Sequence, residues 1–336
     1  MKNLILYLFL IIIFIPACQN PANQDRRCEK STEHLSENYS LLKPDTLHPE
    51  KKISLSYGDL SIVFADNSAY GPEHRAGYNG IAELRHKIQD STIFVPFYAG
   101  FNLEHIFGGD SLIQLFEPRL HPMELFRISD QEVLLYQSPT PLSHVESQTY
   151  FKVVEPHYID ITFRFIIHRD HFFKHGYAGL FWASYIHGPA DRNIYFIGKE
   201  KESGYSGWIT AYSKEHGAKS THTWEQDTTT LYFAPDFNAT LASHFSDYSY
   251  RYPFYYGRFH NLVLAFMFDT PGKIRFSQSP TGGGEFNPAW DFQYIIPDIK
   301  VGREYSFRAR MIYKKFKGKE NIEEEYRKWK FSLNQI

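Results

Sequence analysis

Between His175 and Trp224 the chain sets imidazoles beside aromatic rings at strand spacing. That combination suits proton transfer on a sugar held by ring stacking. From Leu180 to His187 the side chains alternate: Leu180, Trp182, Ser184 and Ile186 on one face, Phe181, Ala183, Tyr185 and His187 on the other. Tyr185 and His187 therefore share a face, as do His222 and Trp224 further on. Upstream, Glu146 alternates with Gln148 and Tyr150 away from the apolar Val145 and Phe151, so its carboxylate is a candidate acid or base. The expectation is one cleft in which His187, His222 and Glu146 move protons while Trp182, Tyr185 and Trp224 stack on the ligand.

Two earlier segments carry further candidates. Glu104 and His105 sit at a strand exit flanked by Gly100 and by Gly108-Gly109, where backbone can approach a ligand. Adjacent strand residues face opposite ways, so this pair shares a site only if the chain turns there. In Phe116-Glu117-Pro118-Arg119-Leu120-His121-Pro122, two prolines stiffen a segment that presents Arg119 and His121 on the same side. The planar guanidinium suits a carboxylate or paired hydroxyls. His168, His171 and His175 are spaced three and four apart, but across a strand end and a turn rather than along a helix, so no metal is expected. Of the three, His175 leads into the strand that begins after Gly176 and is placed to reach a pocket. The glycines at 282–284 lack the lysine and the helix of a phosphate loop, and no cofactor is expected.

These side chains must be positioned by strands. After Lys51 the pattern has period two, broken by Gly, Pro, Asn and Asp. Strands are expected over 60–65, 92–97, 112–116, 133–137, 145–153, 158–168, 179–187, 194–198, 207–212, 229–233, 260–269, 273–277, 290–296 and 304–314. One helix is expected, Asn321 to Leu333, with Ile322, Tyr326, Trp329 and Leu333 at helical spacing. Almost no helix separates the strands, which excludes a doubly wound α/β fold. An all-β protein is expected, a large antiparallel two-sheet β-sandwich over 51–317, with 318–336 as a C-terminal helix packed on it. The 24 Tyr and 29 Phe suit strands and flat faces that stack on sugar rings. A formal net charge of −2 without a basic block argues against a nucleic-acid partner.

The apolar run Leu4 to Ile15 has the length of a secretory signal core rather than of a membrane span. Ile15-Pro16-Ala17-Cys18 resembles the bacterial lipobox, which implies a signal peptide over 1–17, a lipid on Cys18 and an exported protein held on the cell envelope. The only other cysteine is Cys28, so no disulfide within the body is expected. Residues 18–50, polar with scattered prolines, read as a flexible tether.

Long antiparallel strands, the early turn Tyr78-Asn79-Gly80-Ile81, histidines on an aromatic face and the late Gly-rich hairpin together resemble the galactose-mutarotase-like β-supersandwich. Aldose epimerases and several polysaccharide-active enzymes share that architecture. The resemblance covers roughly 53 to 317 and carries over no catalytic motif residue by residue. It implies a protein that binds or acts on a sugar or polysaccharide, by epimerase-like or lyase-like acid–base chemistry if it is an enzyme. A glycan-binding or structural surface lipoprotein is the alternative. Segments such as NPAWDFQY and FRARMIYKKF are similar to those of uncharacterised exported bacterial proteins.

Overall fold

A computed structural model describes residues 40–335. Strand is its main regular structure, in two antiparallel-dominated sheets. The smaller sheet joins β1 (Lys52–Tyr57), β2 (Leu60–Ala65) and β3 (Gly80–His86) in that order. The larger runs β4 (Asn102–Phe107), β9 (Ala178–Ala183), β17 (Ala289–Ile296), β16 (Ile274–Ser279), β12 (Thr221–Trp224), β13 (Phe245–Tyr250), β10 (Ile194–Glu200), β14 (Phe254–Phe259), β15 (Leu262–Phe268), β18 (Glu304–Lys315), β8 (Tyr158–Ile167), β7 (Val145–Val154), β6 (Glu132–Gln137) and β5 (Glu124–Arg127). Strand β11 (Ser206–Ala211) branches from β10.

A sheet this wide cannot stay flat, because each strand pair adds right-handed twist. This one doubles back so that its ends face each other. Trp182 of β9 and Phe163 of β8 are nine steps apart in strand order, yet their rings meet edge to face at 4.7 Å. Phe292 of β17 lies flat on Trp182 at 4.9 Å and meets Phe307 of β18 at 5.9 Å. The smaller sheet closes one flank, with Phe64 of β2 at 5.2 Å from Phe151 of β7. The expected sandwich is thus one folded ribbon of strands, whose seam is filled by aromatic rings.

The alternation expected around Leu180 is present: Leu180, Trp182 and Ile186 enter the seam, while Phe181, Ala183 and Tyr185 join a separate apolar cluster on the outer face. Regular pairing stops at Ala183 rather than at His187, beyond which the chain is held by isolated bridges to Phe94 and Ala289. The segments 92–97, 112–116 and 229–233 are irregular rather than strands. Leu112, for example, bonds the side chain of Asn238 instead of a neighbouring backbone. Among the described residues, three short helices or turns and one longer helix accompany the strands. They are α1 (Glu117–Leu120), α2 (Thr240–Ser243), a 3-10 turn (Pro271–Lys273) and α3 (Lys319–Leu333), whose Ile322, Tyr326 and Trp329 pack on Phe254, Val263, Met267 and Ile312.

The expected tether is partly docked. Leu41 is buried, the Gln148 amide donates to the Leu42 carbonyl at 2.7 Å, and Glu50 pairs with Leu125. The signal segment, Cys18 and Cys28 lie outside the described residues. Among the described residues no helix is long and apolar enough to cross a membrane.

Trp182, expected to stack on ligand, is fully buried in the seam. Trp182→Ala should cost about 3–5 kcal/mol of unfolding free energy. Denaturant melts that moved by less than ~1 kcal/mol would contradict the seam as the main source of stability.

Candidate functional site

The site is made by one extra residue. Where β4 pairs with β9, Leu103 faces Trp182 and His105 faces Phe181, leaving Glu104 unpaired between them. Such a bulge re-aims side chains. Here Glu104 and His105, which would point apart on a regular strand, come to the same outer face, where their side chains approach to 3.2 Å. Asn79 braces the bulge. Its amide nitrogen donates to the Leu103 carbonyl at 3.1 Å and its oxygen accepts from the Leu103 N–H at 3.0 Å, so a side chain stands in for a neighbouring strand. Gly80 next to it has φ +92°, and a Cβ there would lie 2.7 Å from the Phe101 carbonyl oxygen, so no larger residue fits.

Glu104 is 6 % exposed and has four donors or cationic partners: the Tyr185 hydroxyl, the Asn102 amide at 3.0 Å, Arg119 at 3.5 Å and His105. Burial alone would raise its carboxyl. Hydrogen bonding and charge from His105, then the charge of Arg119 and the Tyr185 hydroxyl, hold it below the usual carboxylate range. The Tyr185 hydroxyl is pushed well above its ordinary value by burial and by the Glu104 charge. The His105 Nδ1 donates to the Leu115 carbonyl, so Nε2 carries a proton toward Glu104 only when the ring is an imidazolium or the pair shares one proton.

Arg119 is set by its local chain. Pro118 opens the single turn of α1. The carbonyls of Pro118 and His121 then accept from the Gln137 amide at 2.8 and 3.0 Å, and from Asn67. The guanidinium lies on the Tyr78 ring at 3.9 Å and on Phe116 at 4.6 Å. Tyr78 in turn stacks on Tyr98 at 4.5 Å, and both rings meet Tyr185 edge-on. Arg119 also borders an open cleft of about 540 Å³, whose polar lining includes Lys51, Asp66, Ser68 and His121. Asp66 accepts from the N–H and hydroxyl of Ser68, and burial raises its carboxyl.

Of the residues expected to do chemistry, Glu104, His105, Arg119 and Tyr185 thus form one cluster, and His121 lines the adjoining cleft. The expected trio does not assemble. Glu146 is fully buried among Tyr136, His168 and the docked residues Ser40 and Leu41, accepting at 2.7, 2.8, 2.9 and 3.2 Å, so its carboxylate holds the chain's own segment. His222 is 1 % exposed, with Nδ1 at 2.6 Å from the Ser246 hydroxyl and its ring beside Phe196. His187 is exposed past the end of β9, tied by its backbone to Ile93. His175 pairs with Asp110 at 3.0 Å and lies tilted against the Tyr232 ring at 4.3 Å, with no contact to the Glu104 cluster. Trp224 is half-buried against the seam rather than beside Tyr185. The sequence places Tyr78 and Asn79 in a turn and gives Asn102 no role; the part all three play in the site depends on the bulge. The Asn-Gly step that reads as a turn was the available signal. Among the described residues no group of three or more His, Cys, Asp or Glu is arranged to hold a metal.

No protein-family model matches the chain, and no curated protein matches it in sequence. Its backbone is similar to several solved structures. One is a putative aldose 1-epimerase from Escherichia coli K12, at 11% identity and TM-score 0.46, covering 79% of this chain and 99% of that one. Another is an alpha-N-acetylgalactosaminidase from Bifidobacterium bifidum, at 10% identity and TM-score 0.44, covering 84% of this chain and 39% of that one. A heparan sulfate lyase from Pedobacter heparinus shares 9% identity at TM-score 0.37, over 88% of this chain and 41% of its own. At these identities and scores the likeness assigns no residue a role.

The buried His222 makes an acid-sensitive core. Burial lowers its pKa from 6.5 to about 3, so its effect on stability is absent above about pH 6.5 and grows as pH falls toward 3. Over that window the unfolded chain binds one proton more, costing about 1.4 kcal/mol per pH unit. His222→Gln should flatten unfolding free energy against pH by that slope. An unchanged slope in urea melts across the window would count against this.

Proposed function

We propose that this protein binds a carbohydrate in the cleft bordered by Lys51, Asp66, Ser68, Arg119 and His121, with the Glu104 cluster as its rigid wall. The observation that carries the reading is the bulge that brings Glu104 and His105 to one face and fixes Arg119 beside the cleft. Asp66 and Arg119 offer an acceptor and a planar fork for vicinal hydroxyls, and Lys51, Ser68 and His121 add donors.

Recognition is favoured over turnover because of how Glu104 is used. A carboxylate with four partners and a lowered pKa is a poor proton acceptor; its negative charge orients Arg119, Tyr185 and His105. One geometric feature supports a second reading: the 3.2 Å approach of His105 to Glu104, which gives epimerase-like or lyase-like chemistry a place to store a proton. The lipobox-like Ile15-Pro16-Ala17-Cys18 extends the proposal to an exported, lipid-anchored protein. Cys18→Ser should move it from the membrane to the soluble fraction, and an unchanged distribution would refute the anchor.

Binding is tested with a glycan array followed by calorimetry on the sugars retained. Arg119→Lys keeps the charge opposite Glu104 but loses the fork, and should weaken binding about ten-fold or more, equivalent to about 1.4 kcal/mol. Equal affinity in the two proteins, or no sugar retained, would overturn the proposal. Polarimetry and lyase assays on His105→Gln separate the readings: recognition predicts no turnover to lose.

A further inference from the structure

The outer face of β16 and β17 is polar where a sheet face under cover is normally apolar. Cross-strand partners Arg275 and Gln293, and Ser277 and Asp291, stand side by side there, while the alternate residues Phe276, Phe292 and Tyr294 fill the seam. Over this face passes a strap, residues 227–243, that contributes no strand and only the single turn of α2. It is held by apolar packing of Phe237 and Leu241 and by a small set of polar contacts. The Asp227 carboxylate accepts from Arg275 at 3.1 Å, with the two side chains 6% and 3% exposed. The Leu241 carbonyl accepts from Thr221 at 2.8 Å, Ser277 at 2.7 Å and Gln293 at 3.1 Å. One oxygen thus meets donors from three adjacent strands.

The fit is incomplete. Asp291 Oδ2, Gln293 Oε1 and Arg275 Nη1 have no hydrogen-bond partner, although Asp291 and Gln293 are fully buried and Arg275 is 3% exposed. Buried polar groups are ordinarily satisfied, and each one left unpaired is costly. A cover selected only to seal the sheet would use apolar residues on both sides. A polar face answered in part by one carboxylate and two carbonyls, those of Thr229 and Leu241, instead matches a surface that accepts an external ligand with a carboxylate for the guanidinium and hydroxyls for the unpaired Asp291 and Gln293 oxygens.

We propose that this face, centred on Arg275, Ser277, Asp291 and Gln293, is a second recognition surface, for a carboxylate-bearing sugar such as a uronic acid, and that the strap occupies it in the ligand's place. Asp227 stands where the ligand carboxylate would meet Arg275, and the Leu241 oxygen stands where a ligand oxygen would meet Ser277 and Gln293. The inference is independent of the cleft beside Arg119, which lies on other elements.

The test uses the full-length protein and trigalacturonate, with its carboxyl-reduced neutral counterpart as control. Asp227→Asn keeps the shape of the strap but removes its charge. It should bind trigalacturonate at least about ten-fold tighter than the unaltered chain and gain nothing for the neutral trimer, and adding Arg275→Gln should abolish the gain. Equal affinity in all three proteins, or a gain that survives Arg275→Gln, overturns the proposal. If Asp227→Asn fails to fold, amide hydrogen exchange on the unaltered protein decides. Strap peptides that exchange well before β16 and β17 support a displaceable occupant, and strap peptides that exchange only together with those strands refute it.

Discussion

A carboxylate cannot be withdrawn from water without an answer to its charge; left unpaired, its burial costs several kcal/mol. Glu104 sits in that position, and the local structure is the answer. His105 comes from the same bulge, Asn102 from two residues before Glu104, Tyr185 from the exit of β9, and Arg119 from α1. Each partner is itself fixed: Asn102 bonds Asn79, Arg119 rests on Tyr78, and the carbonyls around α1 are bound by Asn67 and Gln137. Removing the charge would release several segments at once. The site is therefore rigid before any ligand arrives, which reduces the ordering cost of binding.

This rigidity depends on the doubled sheet behind it. Phe101, Trp182 and Phe292 occupy the seam beneath the bulge, with centroid separations of 4.9 to 6.0 Å, and they leave β4 and β9 little freedom to slide. The inner face is committed to packing, so chemistry is confined to the outer face and the loops. There the chain uses polar side chains in two ways. At Glu146 and Glu104 they close on the protein's own groups, whereas along Arg275, Asp291 and Gln293 the closure is partial.

Period-two patterning made the architecture legible. The alternation through Leu180–Ile186, the long strands β7, β8 and β18, and the C-terminal helix all follow from which residues are apolar and how often. Strands such as β13, with sequence FSDYSY, carry too little alternation to be read that way. The site was only partly legible for a sharper reason. Its residue types were visible, but a bulge inverts the rule that neighbours on a strand face apart, and nothing in Asn102-Leu103-Glu104-His105 announces one. Sharing a face also proved weaker than sharing a site. His222 lies two residues from Trp224 as the pattern required, yet it faces Phe196 in the interior. Glu146 has the polar surroundings expected of an acid–base residue, supplied by the docked residues Ser40 and Leu41 rather than by a substrate.

The most direct test of the account is to observe the Arg119 guanidinium and the His105 ring while sugar is added. In side-chain-selective NMR on the intact protein, a sugar retained on the array should shift the Arg119 Nε–H and His105 ring signals in proportion to site occupancy, leaving those of the buried His222 in place. Shifts that spare Arg119 and His105 while the sugar is bound would place the ligand elsewhere and contradict the account.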